Sequence, residues 1–294
     1  MAETFSLTTS ATRVGPYMMH AAHYLVAGAP DVVAVHGMVV AGHGVAPLAR
    51  AMAQRGLSVH VPDLPGFGRS DKPRRALDVD GLASTLSGWT EARGLRHPVV
   101  VGNSFGTQVA TAHVADHHGS ACSLVLLSPT IDPRLGPAWL RRLPRGRPGG
   151  RPRGGAAGRL RAAATHALVP VETRRPAALR SLLVREYLAS GLFRALSTVR
   201  HALNDDMTRR LPRVGVPVLV LRGEQDGNVS AGWAETVADA CPAGSVEVVP
   251  GTDHDAQFNA PDMVAEAVAR FVAGGAAMAG PAAGDARGRD TPRG

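Results

Sequence analysis

The chain has few cysteines, few aromatic residues and no long apolar run. Its two cysteines, Cys122 and Cys241, are too few for a disulfide framework or a cysteine-ligated zinc site, so we expect two reduced core residues and no metal. No unbroken apolar stretch is long enough to form a signal peptide or to span a bilayer. These absences predict a cytoplasmic protein without a membrane span.

Acidic residues are missing from one long stretch. Residues 134–159 contain eight arginines and no Asp or Glu, and these arginines account for the whole formal charge of +8. Pro and Gly make up more than half of Pro144–Gly158, which predicts a mobile or disordered surface loop. Since no aromatic residues are interleaved for base stacking, nucleic acid is not an expected partner. Attraction of an anionic membrane surface or of carboxylate-bearing substrates stays open.

Strand-like and helix-like segments alternate over the rest of the chain. This alternation predicts an α/β fold with a doubly wound, mostly parallel sheet, in which ligands bind beyond the carboxyl ends of the strands. With 294 residues the chain is long enough to bury a sizeable core. The predicted strands are Val32–Val35, Leu57–Val61, Pro98–Val101, Ser123–Leu127, Val216–Leu221 and Ser245–Val249.

The alternation stops for about eighty residues in the second half of the chain. Residues 130–211 contain no buried-strand pattern, although 179–188 and 192–203 have the spacing of amphipathic helices. We therefore predict a core of residues 1–129 and 212–274, interrupted by an insertion at 130–211. A tail, 275–294, is rich in Gly, Ala, Pro and Arg and is predicted to be disordered.

A pentapeptide after the third predicted strand carries the strongest functional signal. Gly102-Asn103-Ser104-Phe105-Gly106 follows a valine run and precedes a helical pattern. A serine on a sharp turn between a buried strand and a helix presents its hydroxyl at the top of a sheet, and flanking glycines permit the close packing. Ser104 is therefore the candidate nucleophile.

A serine nucleophile requires a base and an acid that orients the base. His254 lies in the turn after the last predicted strand and is the candidate base, and Asp226, just beyond the preceding strand, is the candidate acid. The chain order Ser, Asp, His is the one that accompanies such a turn. Asp132 is a rival acid, and Glu224 is a weaker one.

The oxyanion of an acyl-transfer reaction needs backbone N–H donors. One donor is expected from Phe105, directly after the nucleophile, and the other from Met38, in the turn after the first predicted strand. We expect His36, Asn103 and Val39 to line the substrate pocket.

Together these motifs resemble the alpha/beta-hydrolase fold family, in its serine-nucleophile branch. The resemblance covers residues 20 to 275, and it implies a helical lid for the insertion and a reaction without cofactor. Related dehalogenases and epoxide hydrolases use an aspartate where Ser104 stands. The resemblance rests on His36-Gly37, Asp63-Leu64-Pro65-Gly66-Phe67-Gly68-Arg69-Ser70, the Ser104 pentapeptide, Gly223-Glu224-Gln225-Asp226 and Asp253-His254.

The resemblance implies hydrolysis of a small or medium carboxylic ester through an acyl-serine. The main alternative is carbon–carbon bond hydrolysis of the aromatic-degradation type, although that subgroup usually has glycine where Thr107 stands. Amidase, thioesterase, acyltransferase and cofactor-free haloperoxidase activities stay open. A contrasting class is a non-catalytic small-molecule receptor of the same fold. The oligomeric state is not predicted.

Overall fold

The computed structural model describes residues 5–38, 41–129 and 192–278. Within these residues one eight-stranded sheet has the order β1-β2-β4-β3-β5-β6-β7-β8. The strands β3 to β8 run parallel to one another, whereas β2 is antiparallel to both β1 and β4. The bounds are β1 Ser6–Val14, β2 Tyr17–Leu25, β3 Asp31–Val35, β4 Ser58–Pro62, β5 Val99–Asn103, β6 Ser123–Leu127, β7 Val218–Gly223 and β8 Gly244–Val249.

Helices cover both faces of the sheet. Alternate residues of the central strands point to opposite faces, so that Val100 and Leu124 belong to one core cluster while Val101 and Val125 belong to the other. The fold is therefore the predicted doubly wound α/β sheet. The helices are α1 Ala46–Ala53, α2 Val79–Ala92, α3 Phe105–Asp116, α4 Leu192–Asn204, α5 Ala231–Asp239, α6 Ala256–Asn259 and α7 Pro261–Met278.

The amino-terminal β1–β2 hairpin is absent from the sequence-based prediction. Strand β1 is mostly exposed and β2 alternates buried with partly exposed residues, so neither has the continuous apolar run of a central strand. The pair extends the sheet past β4 at one edge, where a polar outer strand is favourable because it is solvated.

A chain of hydrogen bonds, buried at its centre, joins this hairpin to the parallel strands. The carboxylate of Asp31 only accepts, so Nε2–H of His60 donates to it at 3.0 Å. Nδ1 of His60 then accepts from Nδ1–H of His23 at 2.9 Å, and Nε2 of His23 accepts from the Ser10 hydroxyl at 2.7 Å. The four residues lie on four adjacent strands, and their bonds hold the edge of the sheet together.

One boundary and one residue differ from the sequence-based predictions. Helix α7 continues to Met278, four residues beyond the predicted core boundary at 274, because Ala276, Ala277 and Met278 are strong helix formers. Cys122 is exposed instead of buried, whereas Cys241 is buried as expected. The basic loop 134–159 and the helix predicted at 179–188 lie outside the described residues, while the helix predicted at 192–203 is α4.

Two buried histidines should make the fold sensitive to acid. Burial, with a smaller contribution from neighbouring positive charge, lowers the pKa of His113 and of His23 from 6.5 to about 4. Since the unfolded chain binds these protons more readily, stability is complete above pH 6.5 and is lost as the pH falls toward 4. Each histidine is expected to cost about 2 kcal/mol between pH 8 and pH 5.

Urea unfolding of the wild type and of His113→Leu at these two pH values measures the effect. The ring nitrogens of His113 are buried and have no hydrogen-bond partner among the described residues, so leucine removes no such bond there. The variant is expected to halve the loss of stability between pH 8 and pH 5. An equal loss in both proteins would show that His113 does not titrate in this range.

Candidate active site

Ser104 occupies a strained turn between strand β5 and helix α3. Its φ of 53° and ψ of −121° lie outside the regions that non-glycine residues favour. A Cβ built on Gly102 would lie 2.6 Å from the carbonyl oxygen of Gly106, and one built on Gly106 would lie 2.4 Å from that of Val35. Both glycines are therefore required for this packing, as the strand–turn–helix prediction for the pentapeptide expects.

The three side chains predicted to act together lie in hydrogen-bond contact. Oγ of Ser104 is 3.1 Å from Nε2 of His254, and Nδ1 of His254 is 3.0 Å from Oδ2 of Asp226. Ser104 follows β5, Asp226 follows β7 and His254 follows β8, so the three side chains converge at the carboxyl edge of the sheet. Since Nδ1–H faces a carboxylate, Nε2 of the neutral imidazole is left to accept the serine proton.

Asp226 is held in place by backbone groups as well as by the imidazole. Its side chain is fully buried, and Oδ1 accepts the N–H groups of Asn228 at 2.8 Å and Val229 at 3.0 Å. Burial by itself raises the pKa of Asp226, but the hydrogen bond and charge of His254 and the N–H of Asn228 bring it below its usual value. The carboxylate therefore stays ionised and fixed at neutral pH.

Gly223, which the sequence reasoning named only as part of the acid-turn motif, brings the acid and base turns together. A Cβ on Gly223 would lie 2.4 Å from the carbonyl oxygen of Asp253 and 2.5 Å from that of Thr252. The end of β7 can therefore approach the turn that carries His254 only because residue 223 has no side chain. The signal in the sequence that could have indicated this close contact is a glycine at the end of a buried strand, just before the acid turn.

Phe105 and Met38, the residues expected to supply the oxyanion donors, are the chain neighbours of Ser104 and of Gly37. Phe105 is the first residue of α3, so its N–H has no intrahelical acceptor. The turn that contains Met38 packs on the elbow, because a Cβ built on Gly37 would lie 3.4 Å from Cβ of Ser104. This contact places the backbone of residues 37 and 38 on the nucleophile's side of the sheet.

The three residues expected to line the pocket differ in their surroundings. His36 is fully buried, with Nδ1 donating to the carbonyl of Gly37 at 2.7 Å and Nε2 accepting from the N–H of Leu64 at 3.1 Å. Its imidazole thus braces the turn from inside. Asn103 is buried and its Nδ2 has no partner among the described residues, while Val39 lies outside them.

Of the two rival acids, Glu224 is not in the hydrogen-bond chain. Glu224 is exposed, and its Oε2 accepts the N–H of Gly251 at 2.8 Å. Asp132 lies outside the described residues. Within the described ranges, no cluster of three His, Cys, Asp or Glu side chains has the arrangement of a metal site.

The family model described as "Alpha/beta hydrolase family" matches residues 32–267, which contain every element of the site. The chain belongs to the alpha/beta hydrolase family. Among relatives of this alpha/beta hydrolase, the 2-(acetamidomethylene)succinate hydrolase of Mesorhizobium japonicum is 26% identical over 251 residues, which cover 81% of this chain and 86% of that protein.

Two further hydrolases show the same likeness. The thermostable monoacylglycerol lipase of a Bacillus species is 32% identical over 108 residues, which cover 36% of this chain and 42% of the lipase. The solved structure of a thermophilic esterase from Thermogutta terrifontis, in a malate-bound form, has a TM-score of 0.70 at 20% identity, covering 92% of this chain and 99% of that one. In the described part of this alpha/beta hydrolase, no helix combines the length and apolar character needed to cross a bilayer.

Proposed function

We propose that this alpha/beta hydrolase cleaves small or medium carboxylic esters through an acyl-enzyme on Ser104. The observation that carries the proposal is the continuous hydrogen-bond chain from Ser104 through His254 to Asp226. Such a chain has no value for a pure binding protein, since it raises the reactivity of a hydroxyl at the cost of burying a carboxylate.

In the proposed reaction, Nε2 of His254 removes the proton from Ser104 as Oγ attacks the ester carbonyl. Asp226 stabilises the imidazolium that forms and keeps the ring in the required tautomer. His254 then gives the proton to the leaving alkoxide, whose C–O bond breaks to leave the acyl-serine. Water, activated by the same imidazole, attacks the acyl carbonyl and regenerates the Ser104 hydroxyl.

The developing oxyanion is proposed to accept the N–H groups of Phe105 and Met38. Each such donor is worth about 3 to 4 kcal/mol of the barrier. Asn103, whose buried amide nitrogen is unpartnered among the described residues, is proposed to face the substrate. The insertion at 130–211 is proposed to cover the site as a lid, and α4 is its described part.

A second candidate reaction is hydrolysis of an acetamido compound. It is favoured by the similarity to the 2-(acetamidomethylene)succinate hydrolase over four fifths of the chain. The same three side chains would act, with an amide nitrogen taking the proton from His254 instead of an alkoxide.

The test is turnover of p-nitrophenyl esters from acetate to octanoate together with labelling by a fluorophosphonate probe. We expect wild-type turnover that peaks at a short or medium acyl chain, and a covalent adduct that Ser104→Ala lacks. Turnover of 2-(acetamidomethylene)succinate or of a dienoate in the same panel, without ester turnover, would favour amide or carbon–carbon hydrolysis. If the protein is not labelled and turns over no substrate, the result would favour a non-catalytic receptor.

A further inference from the structure

Arg194, in the first turn of α4, is a cation without an ionic partner among the described residues. Its Nη2 donates to the carbonyl oxygen of Pro73 at 2.6 Å. Both Nε and Nη1 are shielded from solvent, and within the described ranges neither has a hydrogen-bond acceptor. Burial lowers the pKa of this guanidinium, and no neighbouring carboxylate opposes the shift.

Arg210 shows how the same fold treats another half-buried guanidinium. Its side chain forms ion pairs with Asp80, Asp116 and Asp205. These carboxylates offset the cost of removing a charged group from water. Arg194 has two nitrogens shielded from solvent but only one carbonyl partner, and no carboxylate of the described residues offsets its charge.

Arg194 lies at the edge of the sheet that carries the active site. It packs on the loop after β4, where a Cβ built on Gly66 would lie 3.1 Å from its Nη1. The next residue of that loop, Phe67, contacts the ring of His36 with centroids 5.1 Å apart. His36 in turn braces the turn whose Gly37 faces Ser104. The guanidinium thus packs on a loop that contacts the turn beside the nucleophile.

We propose that Arg194 binds a carboxylate of the substrate, so that the preferred ester carries an anionic group remote from the carbonyl that Ser104 attacks. This inference rests on the proposed ester hydrolysis. Nη2 carries two hydrogens and Pro73 takes one of them. Whichever it takes, one two-pronged edge of the guanidinium, Nε with Nη2 or Nη1 with Nη2, keeps N–H groups that have no acceptor among the described residues. Such an edge matches the two oxygens of a carboxylate.

The experiment compares esters that differ only in a terminal carboxylate. The pairs are p-nitrophenyl pentanoate with the glutarate monoester, hexanoate with the adipate monoester, and octanoate with the suberate monoester. In the wild type, at least one acid is expected to exceed its neutral partner in kcat/KM. Arg194→Gln should lower kcat/KM for that acid by about 10- to 100-fold, mainly through KM, with the neutral ester little changed.

Arg200→Gln is the matched control. Arg200 is an exposed residue of the same helix, and its substitution removes one positive charge while the guanidinium of Arg194 is kept. It is expected to retain the preference, whereas Arg194→Lys should retain only part of it because ammonium lacks the two-pronged edge. If Arg194→Gln fails to fold, protection of wild-type Ser104 from fluorophosphonate by free adipate, compared with hexanoate, measures the same site.

The outcomes separate the two proposals. Labelling and ester turnover in the wild type, with no preference for any acid and no protection by a dicarboxylate, would overturn the role of Arg194 alone. If Arg194→Gln and Arg200→Gln reduce the preference for the acid equally, the preference arises from general electrostatics. This result would also overturn the proposal. Absence of labelling would refute the proposed ester hydrolysis, and protection by adipate could not then be observed at Ser104.

Discussion

Replacing His254 by alanine should lower kcat for the best ester by about 10⁶-fold, because no other group would remove the serine proton. Ser104→Ala should have an effect of similar size. The two residues act as one unit, since Oγ of Ser104 and Nε2 of His254 are in direct contact. The double variant should therefore be no slower than either single variant, and steady-state kinetics with active-site titration measures this.

Asp226→Asn should lower kcat by about 10⁴-fold, because the amide can turn the wrong tautomer of His254 toward Ser104. Glu224→Gln is the matched control, since it removes a carboxylate two residues away and keeps an oxygen that can accept the N–H of Gly251. Asp132→Asn tests the other rival. Both controls should retain most activity, and a loss in Asp132→Asn with none in Asp226→Asn would reassign the acid.

The second large effect is expected from Gly223→Ala, a change of one methyl group. The new Cβ would lie 2.4 Å and 2.5 Å from two carbonyl oxygens of the turn that carries His254. Backbone atoms cannot move aside as a flexible side chain can, so β7 and this turn must separate. We expect a destabilisation of about 3 kcal/mol and a fall in kcat/KM of about 100-fold or more, since the acid and base both move.

Gly232→Ala provides the opposite expectation within the same part of the chain. Gly232 lies in helix α5, and no heavy atom lies within 4 Å of a Cβ built on it. Alanine should stabilise the protein by about 0.5 to 1 kcal/mol and leave kcat/KM unchanged. Urea unfolding and ester kinetics on both variants test the pair. Equal effects of the two substitutions would show that the contact at Gly223 is unimportant.

Much of the site follows from local patterns, because each candidate group stands directly after a buried strand. Runs of Val and Leu predict parallel strands, and parallel strands end at one edge, so Ser104, Asp226 and His254 were expected there. The hydrogen bonds among them agree with that expectation. The hairpin β1–β2 was missed because its strands are polar and partly exposed, and such strands lack the apolar run that marks a buried one.

The role of His36 could not be predicted from its position in the chain. A histidine after a strand at the active edge is compatible with many contacts, and its position alone does not show that Nε2 accepts the N–H of Leu64, 28 residues away. The same holds for Gly223 and Arg194. The role of Gly223 depends on its contact with the backbone of the turn that carries His254. The role proposed for Arg194 depends on the lack of a carboxylate beside it among the described residues.

By itself the sequence determined the class of fold, the family and the identity of the three groups proposed to react, because these depend on periodicity and on residues adjacent to strand ends. The tertiary structure decided which carboxylate faces the imidazole, which glycines allow the turns to meet, and where a positive charge lies without an ionic partner among the described residues. Those facts depend on distances between segments far apart in the chain, and no local pattern encodes a distance across the sheet.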